Sequence, residues 1–148
     1  MGEYHSCFIS HSTSDREFAE KLHRDLTENG VHCIRAEQEL RVGERIRIAL
    51  DRLIEESDKV ILVLSRTSLN SDWVEKEVEK ALEIERHSAR RIVMPIRVDD
   101  VVMNDTTGWG ADIRRTRNIG DFRSWRRQVK YSAALARLLR DLRRDDLI

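Results

Sequence analysis

Apolar residues along this chain fall into blocks that alternate between a strand-like run and a helix-like spacing. Runs at residues 4–10, 31–35, 60–64 and 92–96 predict strands, and residues 118–122 predict a brief fifth strand. The run at 60–64 has no polar alternation, which is typical of a central parallel strand covered on both faces. Pro95, near the end of the fourth run, favours a position toward the edge of the sheet.

The segments between these runs carry apolar residues three and four positions apart, which predicts helices. Ser14 and Glu17 predict a capping box that opens the first helix, and Asn29-Gly30 predicts its end. The buried face of this helix is predicted to comprise Phe18, Ala19, Leu22 and Leu26. A second helix is expected to bury Ile46, Ala49, Leu50, Leu53 and Ile54.

Two later segments are less regular. Residues 98–117 are poorly patterned and are expected to form loop with short helical pieces. The last helix is predicted to begin at Ser124, to end at about Leu142, and to pack through Trp125, Val129, Ser132, Ala136 and Leu139.

Strands that alternate with helices through short links predict an α/β fold in a single domain. We expect a flavodoxin-like, doubly wound parallel sheet of about five strands in the order 2-1-3-4-5, flanked by helices on both faces. The domain is predicted to span residues 1–143. Residues 144–148 are strongly polar and are expected to form a tail or the start of a linker.

A glutamate in the helix predicted over residues 71–82 lies on an unexpected side. At about 100° per residue, the apolar arc of this helix comprises Trp73, Val74, Val78, Ala81 and Leu82. Glu77 falls inside that arc. A carboxylate on the covered side of a helix costs free energy unless something compensates it, so Glu77 is a candidate for chemistry. The alternative is that the arc ends early and Glu77 pairs with a nearby arginine.

Polar residues stand at the carboxyl ends of the predicted strands, which is where open parallel sheets bind ligands. Arg35 stands at the end of the second strand and Ser65 directly after the third. The residues at the end of the first strand are Ser10, His11, Ser12 and Thr13. In the order 2-1-3-4-5 the first and third strands are neighbours, so the loop at residues 10–13 and the Glu77 helix border one cleft. Trp73 either fills the core or stacks on a ring at the mouth of this cleft.

The composition excludes several classes of partner. Of the 148 residues 36% are charged, with a formal net charge of zero, so no global attraction to nucleic acid or to an anionic membrane is expected. The sequence has neither an apolar run of about 20 residues nor a signal-peptide core. A late arginine cluster is expected to be a solvated surface, with a polyanion site as the alternative; it comprises Arg114, Arg115, Arg117, Arg123, Arg126 and Arg127.

Cys7 and Cys33 lie in predicted strands. Buried, inert thiols are expected rather than a disulfide or a catalytic cysteine, which indicates a reducing, cytoplasmic setting. The five histidines show no metal-ligand spacing, so no metal is expected.

Common motifs of α/β proteins are missing. No G-x-G-x-x-G follows the first strand and no G-x-x-x-x-G-K-[ST] occurs, so the sequence carries neither a dinucleotide fingerprint nor a P-loop. A phosphorylation receiver of this fold needs an aspartate at the end of the third strand, where this chain has Ser65.

Three segments of the sequence resemble the signature boxes of Toll/interleukin-1 receptor (TIR) domains of the bacterial type. Cys7-Phe8-Ile9-Ser10-His11 followed by Asp15 resembles the first box, and Leu40-Arg41-Val42-Gly43 resembles the end of the second. Leu64-Ser65, Ser68, Ser71-Asp72-Trp73-Val74 and Glu77 are similar to the stretch that holds the family's catalytic glutamate. Phe122 and Trp125 sit where a weaker third box is expected, so the resemblance covers about residues 4 to 142.

This resemblance implies an NAD+ glycohydrolase in which Glu77 is catalytic. It implies that residues after the first strand help to bind the nucleotide, which applies to His11, Ser12 and Thr13. Together with the other residues at the strand ends and Trp73, the predicted substrate-binding set is Ser10, His11, Ser12, Thr13, Arg35, Ser65 and Trp73. The loop at residues 36–44 is implied to gate the site and to mediate assembly, through Ala36, Glu37, Glu39, Arg41 and Gly43. Many active members have an acidic residue where this chain has Ala36, so a neighbouring glutamate substitutes, the subgroup manages without, or catalysis is weak.

The implied partners are NAD+, as substrate rather than cofactor, and other TIR domains in a homo-oligomer or filament. The implied setting is prokaryotic immune signalling in the cytoplasm, without contact to nucleic acid or membrane. The product is ADP-ribose or a cyclic isomer. Two alternatives remain open: a non-enzymatic TIR adaptor that acts by assembly alone, and a nucleoside deoxyribosyltransferase-like enzyme, which also uses a glutamate on a similar fold.

Overall fold

The computed structural model of the protein describes residues 2–35, 46–106 and 108–144, with the backbone alone for residues 46–50. The strands are β1 (Cys7–Ser10), β2 (Cys33–Arg35), β3 (Lys59–Leu64), β4 (Val93–Arg97) and β5 (Gly120–Asp121). The helices are α1 (Arg16–Glu28), α2 (Ile46–Glu56), α3 (Arg66–Leu69), α4 (Asp72–Ser88), α5 (Val101–Asn104), α6 (Gly108–Thr116) and α7 (Gln128–Leu142). A 3-10 turn at Thr13–Asp15 precedes α1.

The described strands form one parallel sheet in the order β2-β1-β3-β4-β5. This order confirms the predicted doubly wound topology. Ser10 at the end of β1 lies opposite Leu62 of β3, so the carboxyl ends of these two strands open onto the same region. The sheet therefore places the loop after β1 beside the loop after β3.

Successive side chains of each strand point to opposite faces of the sheet and pack into two separate hydrophobic cores, one on each face. On one face α1 and α7 cover Cys7, Ile9, Ile61 and Val63, with helix residues Phe18, Ala19, Leu22, Leu26, Tyr131, Leu138 and Leu142. On the other face α2, α4, α5 and α6 cover Phe8, Val60, Leu62 and Leu64, with helix residues Leu53, Ile54, Val74, Val78, Ala81, Val102 and Ile113. Helices on both faces were predicted, and the buried stripe predicted for α1 is confirmed.

The first strand and first helix begin later than predicted. Tyr4 is joined to Arg143 by an isolated antiparallel bridge instead of lying in β1. The predicted capping box of Ser14 and Glu17 is wrong, because Ser14 lies inside the 3-10 turn and Asp15 occupies the N-cap of α1. The chain makes this extra turn before the helix starts, which shifts the cap by one residue. The end of α1 at Asn29 and Gly30, with Gly30 at φ +90°, is as predicted.

The stripe predicted for the last helix is right for Trp125 and Leu139, which pack against the core, and wrong for Val129, Ser132 and Ala136, which are exposed. Residues 123–127 form a turn in which the amides of Trp125 and Arg127 donate to the carbonyls of Phe122 and Ser124, so the helix begins only at Gln128. Its buried residues are Tyr131, Leu138 and Leu142, whereas Val129 is 83% exposed.

The irregular regions agree with the sequence pattern. Two short helices, α5 and α6, interrupt the segment predicted as loop with helical pieces. Strand β5 pairs with β4 only at Ile96 and Arg97 and does not reach Pro95. The amide hydrogen that Pro95 lacks therefore removes no hydrogen bond between these two strands. Across the described ranges, no helix combines the length and the apolar character needed to cross a membrane.

Candidate functional site

Helix α4 carries the candidate glutamate and has clear start and stop signals. Ser71 is its N-cap, and the Ser71 hydroxyl accepts a hydrogen bond of 3.2 Å from the amide of Val74. Acidic residues in its first turn and basic residues in its last turn suit the helix dipole. Ala89, at φ +56°, ends the helix in the left-handed conformation.

Glu77 lies on the covered face of α4, as the helical periodicity predicted. Its neighbours on that face are Val74, Val78 and Ala81, and Glu77 itself is only 4% exposed. The Oγ of Ser10 donates a hydrogen bond of 2.8 Å to Glu77 Oε1. Ser10 ends β1 and follows Phe8 on the sheet face that α4 covers, so the alternation of β1 directs its hydroxyl at the helix. The candidate carboxylate is thus joined to the carboxyl end of β1.

The loop after β1 continues this polar cluster. His11 and Ser12 are both buried, and His11 Nδ1 lies 2.8 Å from the carbonyl oxygen of Ser12. Thr13 is exposed at the start of the 3-10 turn. The predicted substrate-binding residues of this loop therefore lie next to Ser10 in the chain, two of them covered and one facing solvent.

Ser65 closes the other side of the cluster. Its hydroxyl accepts from the amide of Ser68 at 3.1 Å, and the Ser68 hydroxyl accepts from the amide of Ser65 at 2.8 Å, which is a reciprocal capping box. Ser65 Oγ also donates to Asp15 Oδ2 at 2.5 Å. Neither this capping box nor the side-chain contact of Asp15 was predicted from the sequence, and the available signal was the density of serine and threonine after the first and third strands.

Trp73 does not fill the core. Its side chain is 41% exposed, although the helical wheel placed it with the covered residues. Trp73 lies in the first turn of α4, directly after the N-cap region and one turn before Glu77. Because the covered residues begin with Val74, an exposed ring at the edge of the site fits the position of Trp73 better than core packing.

Arg35 is not brought to Glu77. It follows Cys33 on the face of β2 that packs against α1, which is the sheet face opposite to α4. There its Nη2 lies 3.7 Å from Glu20 Oε1. The alternation of β2 therefore directs Arg35 to the other side of the sheet, and this part of the predicted substrate set is not assembled with the rest. The predicted gating residues Ala36, Glu37, Glu39, Arg41 and Gly43 lie outside the described residues.

Most of the arginine cluster is exposed and engaged with other parts of the chain, which favours the solvated-surface interpretation. Arg117 is the exception, because its side chain is only 12% exposed. Arg117 pairs with Glu85, Arg123 with Asp100 and Asp121, and Arg126 with Glu17. Arg114 and Arg115 donate to the carbonyls of Met103 and Thr106. Arg123, through its hydrogen bonds, holds the pKa of Asp121 at about 2.

The cysteines are free and buried, as predicted. They lie opposite each other on β1 and β2, and a hydrogen bond with Cys33, together with burial, raises the pKa of the Cys7 thiol far above its usual range. A thiol held in this protonated form is a poor nucleophile. Among the described residues, no group of three or more histidine, cysteine or acidic side chains is placed to hold a metal ion.

Fold and site define a flavodoxin-like α/β domain with a buried carboxylate at the carboxyl edge of its sheet. The model of the TIR domain family matches residues 7–139, so the chain belongs to the TIR family. The NAD(+) hydrolase TcpC of Escherichia coli O6:H1 is 29% identical to it over 94 residues, 63% of this chain and 31% of that protein. The NAD(+) hydrolase PdTIR of Paracoccus denitrificans is 31% identical over 93 residues, 62% of this chain and 31% of that protein.

These curated relatives are longer proteins, of which this chain spans about a third. The TIR domains of the activated Roq1 resistosome superpose with a TM-score of 0.72 over 93% of this chain and 98% of theirs. Their sequence identity to it is 23%. At that level the likeness supports the fold alone.

Proposed function

We propose that this TIR domain hydrolyses NAD+ at the bond between nicotinamide and ribose, with Glu77 as the catalytic residue. The observation that carries the proposal is the placement of Glu77. Its carboxylate is buried on α4 and accepts a hydrogen bond from Ser10 at the carboxyl end of β1. Two relatives of the chain are named NAD(+) hydrolases, which supports the same activity.

The chemistry suits a single carboxylate. As the C1′–N bond breaks, its electron pair leaves with nicotinamide and positive charge develops on the ribose, as in glycoside hydrolysis. A fixed carboxylate beside the sugar stabilises that charge or orients the ribose hydroxyls. The leaving group starts as a cationic pyridinium and departs neutral, so it needs no general acid. Water then adds to C1′ and releases a proton to solvent, which gives ADP-ribose; a nucleophile from within the same molecule gives a cyclic isomer.

The surrounding residues supply the binding surface in this proposal. The loop at residues 10–13 contacts the ribose or phosphates, with Thr13 as its exposed hydroxyl. Ser65 supports the site from the other side, since its hydroxyl and amide are bonded to Asp15 and Ser68. Trp73 walls the entrance with its exposed ring. Arg35 has no direct role here, because β2 directs it toward α1.

Assembly of TIR domains is proposed to activate the site. The support for this proposal is the membership of the chain in the TIR family, because the resemblance to that family implies homo-oligomers or filaments of TIR domains. We expect a weakly active monomer, with activity that rises faster than linearly with protein concentration. The natural setting proposed is prokaryotic immune signalling in the cytoplasm.

The test is nicotinamide release from NAD+ by the purified domain, with and without a crowding agent. Wild-type protein is expected to release nicotinamide, and Glu77→Ala is expected to release none above background. Glu79→Gln is the matched control, since Glu79 is exposed on the same helix two residues away. No release from the wild type at high concentration, or equal release from Glu77→Ala, would contradict the enzymatic proposal and leave a TIR adaptor that acts by assembly alone.

Product identification by mass spectrometry distinguishes ADP-ribose from a cyclic isomer. The same assay with deoxynucleosides in place of NAD+ tests the deoxyribosyltransferase-like alternative. Base exchange on deoxynucleosides, with no release from NAD+, would assign Glu77 to that reaction instead.

A further inference from the structure

Three hydroxyl groups converge on one carboxylate oxygen beside the candidate site. Oδ2 of Asp15 lies 2.8 Å from Ser12 Oγ, 2.5 Å from Ser65 Oγ and 3.4 Å from Thr67 Oγ1. Thr67 Oγ1 lies in turn 2.7 Å from Ser12 Oγ and 3.1 Å from Ser65 Oγ. These four residues come from the loop after β1 and from the turn after β3, so the cluster joins two loops that the chain keeps about fifty residues apart.

Proton counting fixes the direction of these bonds. A hydroxyl has one proton, and an ionised carboxylate only accepts. Ser12 and Ser65 therefore donate to Asp15 and are left to accept from their other neighbours. Ser65 Oγ accepts from the amide of Ser68, which completes the capping box of α3. The Thr67 hydroxyl carries the third proton, for which Ser12 Oγ, Ser65 Oγ and Asp15 Oδ2 are the neighbouring acceptors. Hydrogen bonds to a charged acceptor are roughly twice as strong as neutral ones, so Asp15 dominates the cluster.

Capping of α1 does not explain this carboxylate. Asp15 occupies the N-cap position, yet its side chain makes no capping hydrogen bond to the helix. The side chain points instead to the hydroxyls of the two loops. An aspartate that could have capped its own helix is thus used to link separate segments.

Both linked segments lead directly to Glu77. Ser12 is two residues after Ser10, whose hydroxyl donates to Glu77 Oε1. On the other side, the amide of Ser71 donates to the carbonyl of Ser68 at 3.1 Å, and Ser71 is the N-cap of α4. Asp15 therefore fixes the spacing between the residue that contacts Glu77 and the start of the helix that carries it.

We propose that Asp15 is a positioning residue, which holds the loop after β1 against the turn after β3 and so sets the place of the Glu77 carboxylate. This inference rests on the proposed NAD+ hydrolysis. Asp15 does not contact the substrate in this scheme. Its removal leaves the chemistry in place but loosens the geometry, which lowers kcat more than it raises KM.

Asp25 provides a matched control. It lies on α1, and its Oδ2 accepts a hydrogen bond of 2.5 Å from the hydroxyl of Tyr131 on α7. The bond has the same chemistry as those of Asp15, but it lies on the sheet face opposite to Glu77. Asp25→Asn therefore reports what a comparable carboxylate contributes to stability alone.

The experiment compares Asp15→Asn, Asp15→Ala and Asp25→Asn in melting temperature, amide hydrogen exchange and steady-state nicotinamide release. We expect Asp15→Asn to lower kcat at least tenfold with KM within threefold of the wild type. Asp25→Asn is expected to lower the melting temperature by a similar amount with kcat within twofold. Equal kcat losses in the two variants, or a kcat unchanged in Asp15→Asn, would overturn the proposal.

Thr67 gives a second test that changes no charge. Thr67 is exposed, so both Thr67→Ser and Thr67→Val are expected to fold. Thr67→Ser keeps the hydroxyl and should retain the wild-type kcat, whereas Thr67→Val removes it and should lower kcat about threefold. Identical kinetics in these two variants would contradict a role for the hydroxyl cluster.

Hydrogen exchange separates failure of this inference from failure of the proposed function. In Asp15→Ala the amides of Ser65 and Ser68, which bond to each other's hydroxyls, should exchange at least tenfold faster, and in Asp25→Asn they should not. If the wild type releases no nicotinamide, the proposed function fails, while this exchange pattern still tests the linkage. Unchanged exchange in Asp15→Ala would overturn the linkage whatever the enzymatic result.

Discussion

Helix α4 carries two covered glutamates, eight residues apart, in very different surroundings. The carboxylate of Glu85 accepts from the amides of Ile92 and Val93 at 2.6 and 2.7 Å and from both terminal nitrogens of Arg117. Glu77 accepts from a neutral hydroxyl, that of Ser10. The same helix thus holds two different carboxylates. Glu85 is bound to a cation and to two backbone amides, and Glu77 is bound to a serine at the end of a strand.

Their positions along the helix explain the difference. In a βαβ unit the helix runs antiparallel to the strands it connects, so α4 starts at the carboxyl edge of the sheet and ends at the amino edge. Glu85 meets the residues that open β4, and Glu77 meets the residue that closes β1. Ligands bind at the carboxyl edge of such sheets. Burial alone does not mark a carboxylate for catalysis; in the proposed function, the edge of the sheet distinguishes the anchoring Glu85 from the catalytic Glu77.

Electrostatics at the amino edge support the anchoring role. Burial acts to raise the pKa of Glu85, but hydrogen bonds from Arg117 and from the amides of Val93 and Ile92 outweigh it, and the net pKa is lowered. Glu85 therefore stays ionised at neutral pH and links α4, β4 and the end of α6. A carboxylate so fully occupied has no free capacity for a substrate.

The largest expected effect is the loss of activity on changing Glu77. Glu77→Gln should lower kcat for nicotinamide release by about 100- to 1000-fold, the range for removing one preorganised electrostatic group. The Ser10 hydroxyl can still donate to the amide oxygen of Gln, so the melting temperature should change by only a few degrees. The control is Glu85→Gln, assayed in parallel with kcat expressed per folded molecule. An equal loss of kcat in the two variants would contradict a difference in role between the carboxyl and amino edges of the sheet.

The second effect concerns stability and belongs to Glu85. Glu85→Gln leaves the guanidinium of Arg117 without its carboxylate, in a pair whose side chains are only 12% and 11% exposed. Removing one partner of such a pair should cost about 2–3 kcal/mol. Thermal denaturation should then show a loss of roughly 5–10 °C for a domain of this size. A melting temperature within about 1 °C of the wild type would show that the Glu85–Arg117 pair is not an anchor.

The strands and the face of Glu77 could be predicted from the sequence because both follow from local periodicity, whereas the strand order was the one expected of a doubly wound fold. Four apolar runs and the brief segment at 118–122 predicted the strands, and a single helical wheel placed Glu77 with Val74, Val78 and Ala81. The wheel gives the direction of a side chain but not how far the helix extends past the sheet. For that reason Trp73, which shares the arc, was placed with covered residues although it is exposed.

The remaining differences have physical causes that one sequence does not reveal. The turn after Phe122 delays the start of α7 to Gln128, so Val129 lies exposed in its first turn and Tyr131 is its first buried residue. The role of Arg35 was predicted from its place at a strand end, but alternation within β2 sends it to the other face. The link through Asp15 depends on hydroxyl directions across two distant loops, which no spacing pattern encodes.

A smaller effect is the pH dependence of the Glu85 anchor. Its pKa is lowered from the ordinary value of 4.5, so the stability it contributes is fully present above about pH 4.5 and is lost as pH falls through the folded-state pKa. The difference in melting temperature between wild type and Glu85→Gln should therefore be constant between about pH 6 and pH 7, where Glu85 is ionised in both the folded and the unfolded state. The difference should shrink below about pH 4.5. Glu79→Gln controls for loss of one exposed carboxylate, and a difference that grows on acidification would reverse the assignment.

The smallest effect is expected at Trp73, one turn before Glu77 on the same helix. Because its ring is 41% exposed, Trp73→Ala should change the melting temperature by no more than about 2 °C, unlike a core tryptophan, whose loss costs about 3–5 kcal/mol. A ring that stacks on the substrate at the cleft mouth contributes about 1 kcal/mol, so KM for NAD+ should rise roughly fivefold while kcat changes little. Trp73→Phe should keep most of the affinity, since it retains an aromatic face. A large loss of stability with unchanged KM would show that Trp73 packs in the core, and the part of α4 at the carboxyl edge of the sheet would then contribute Glu77 alone to the site.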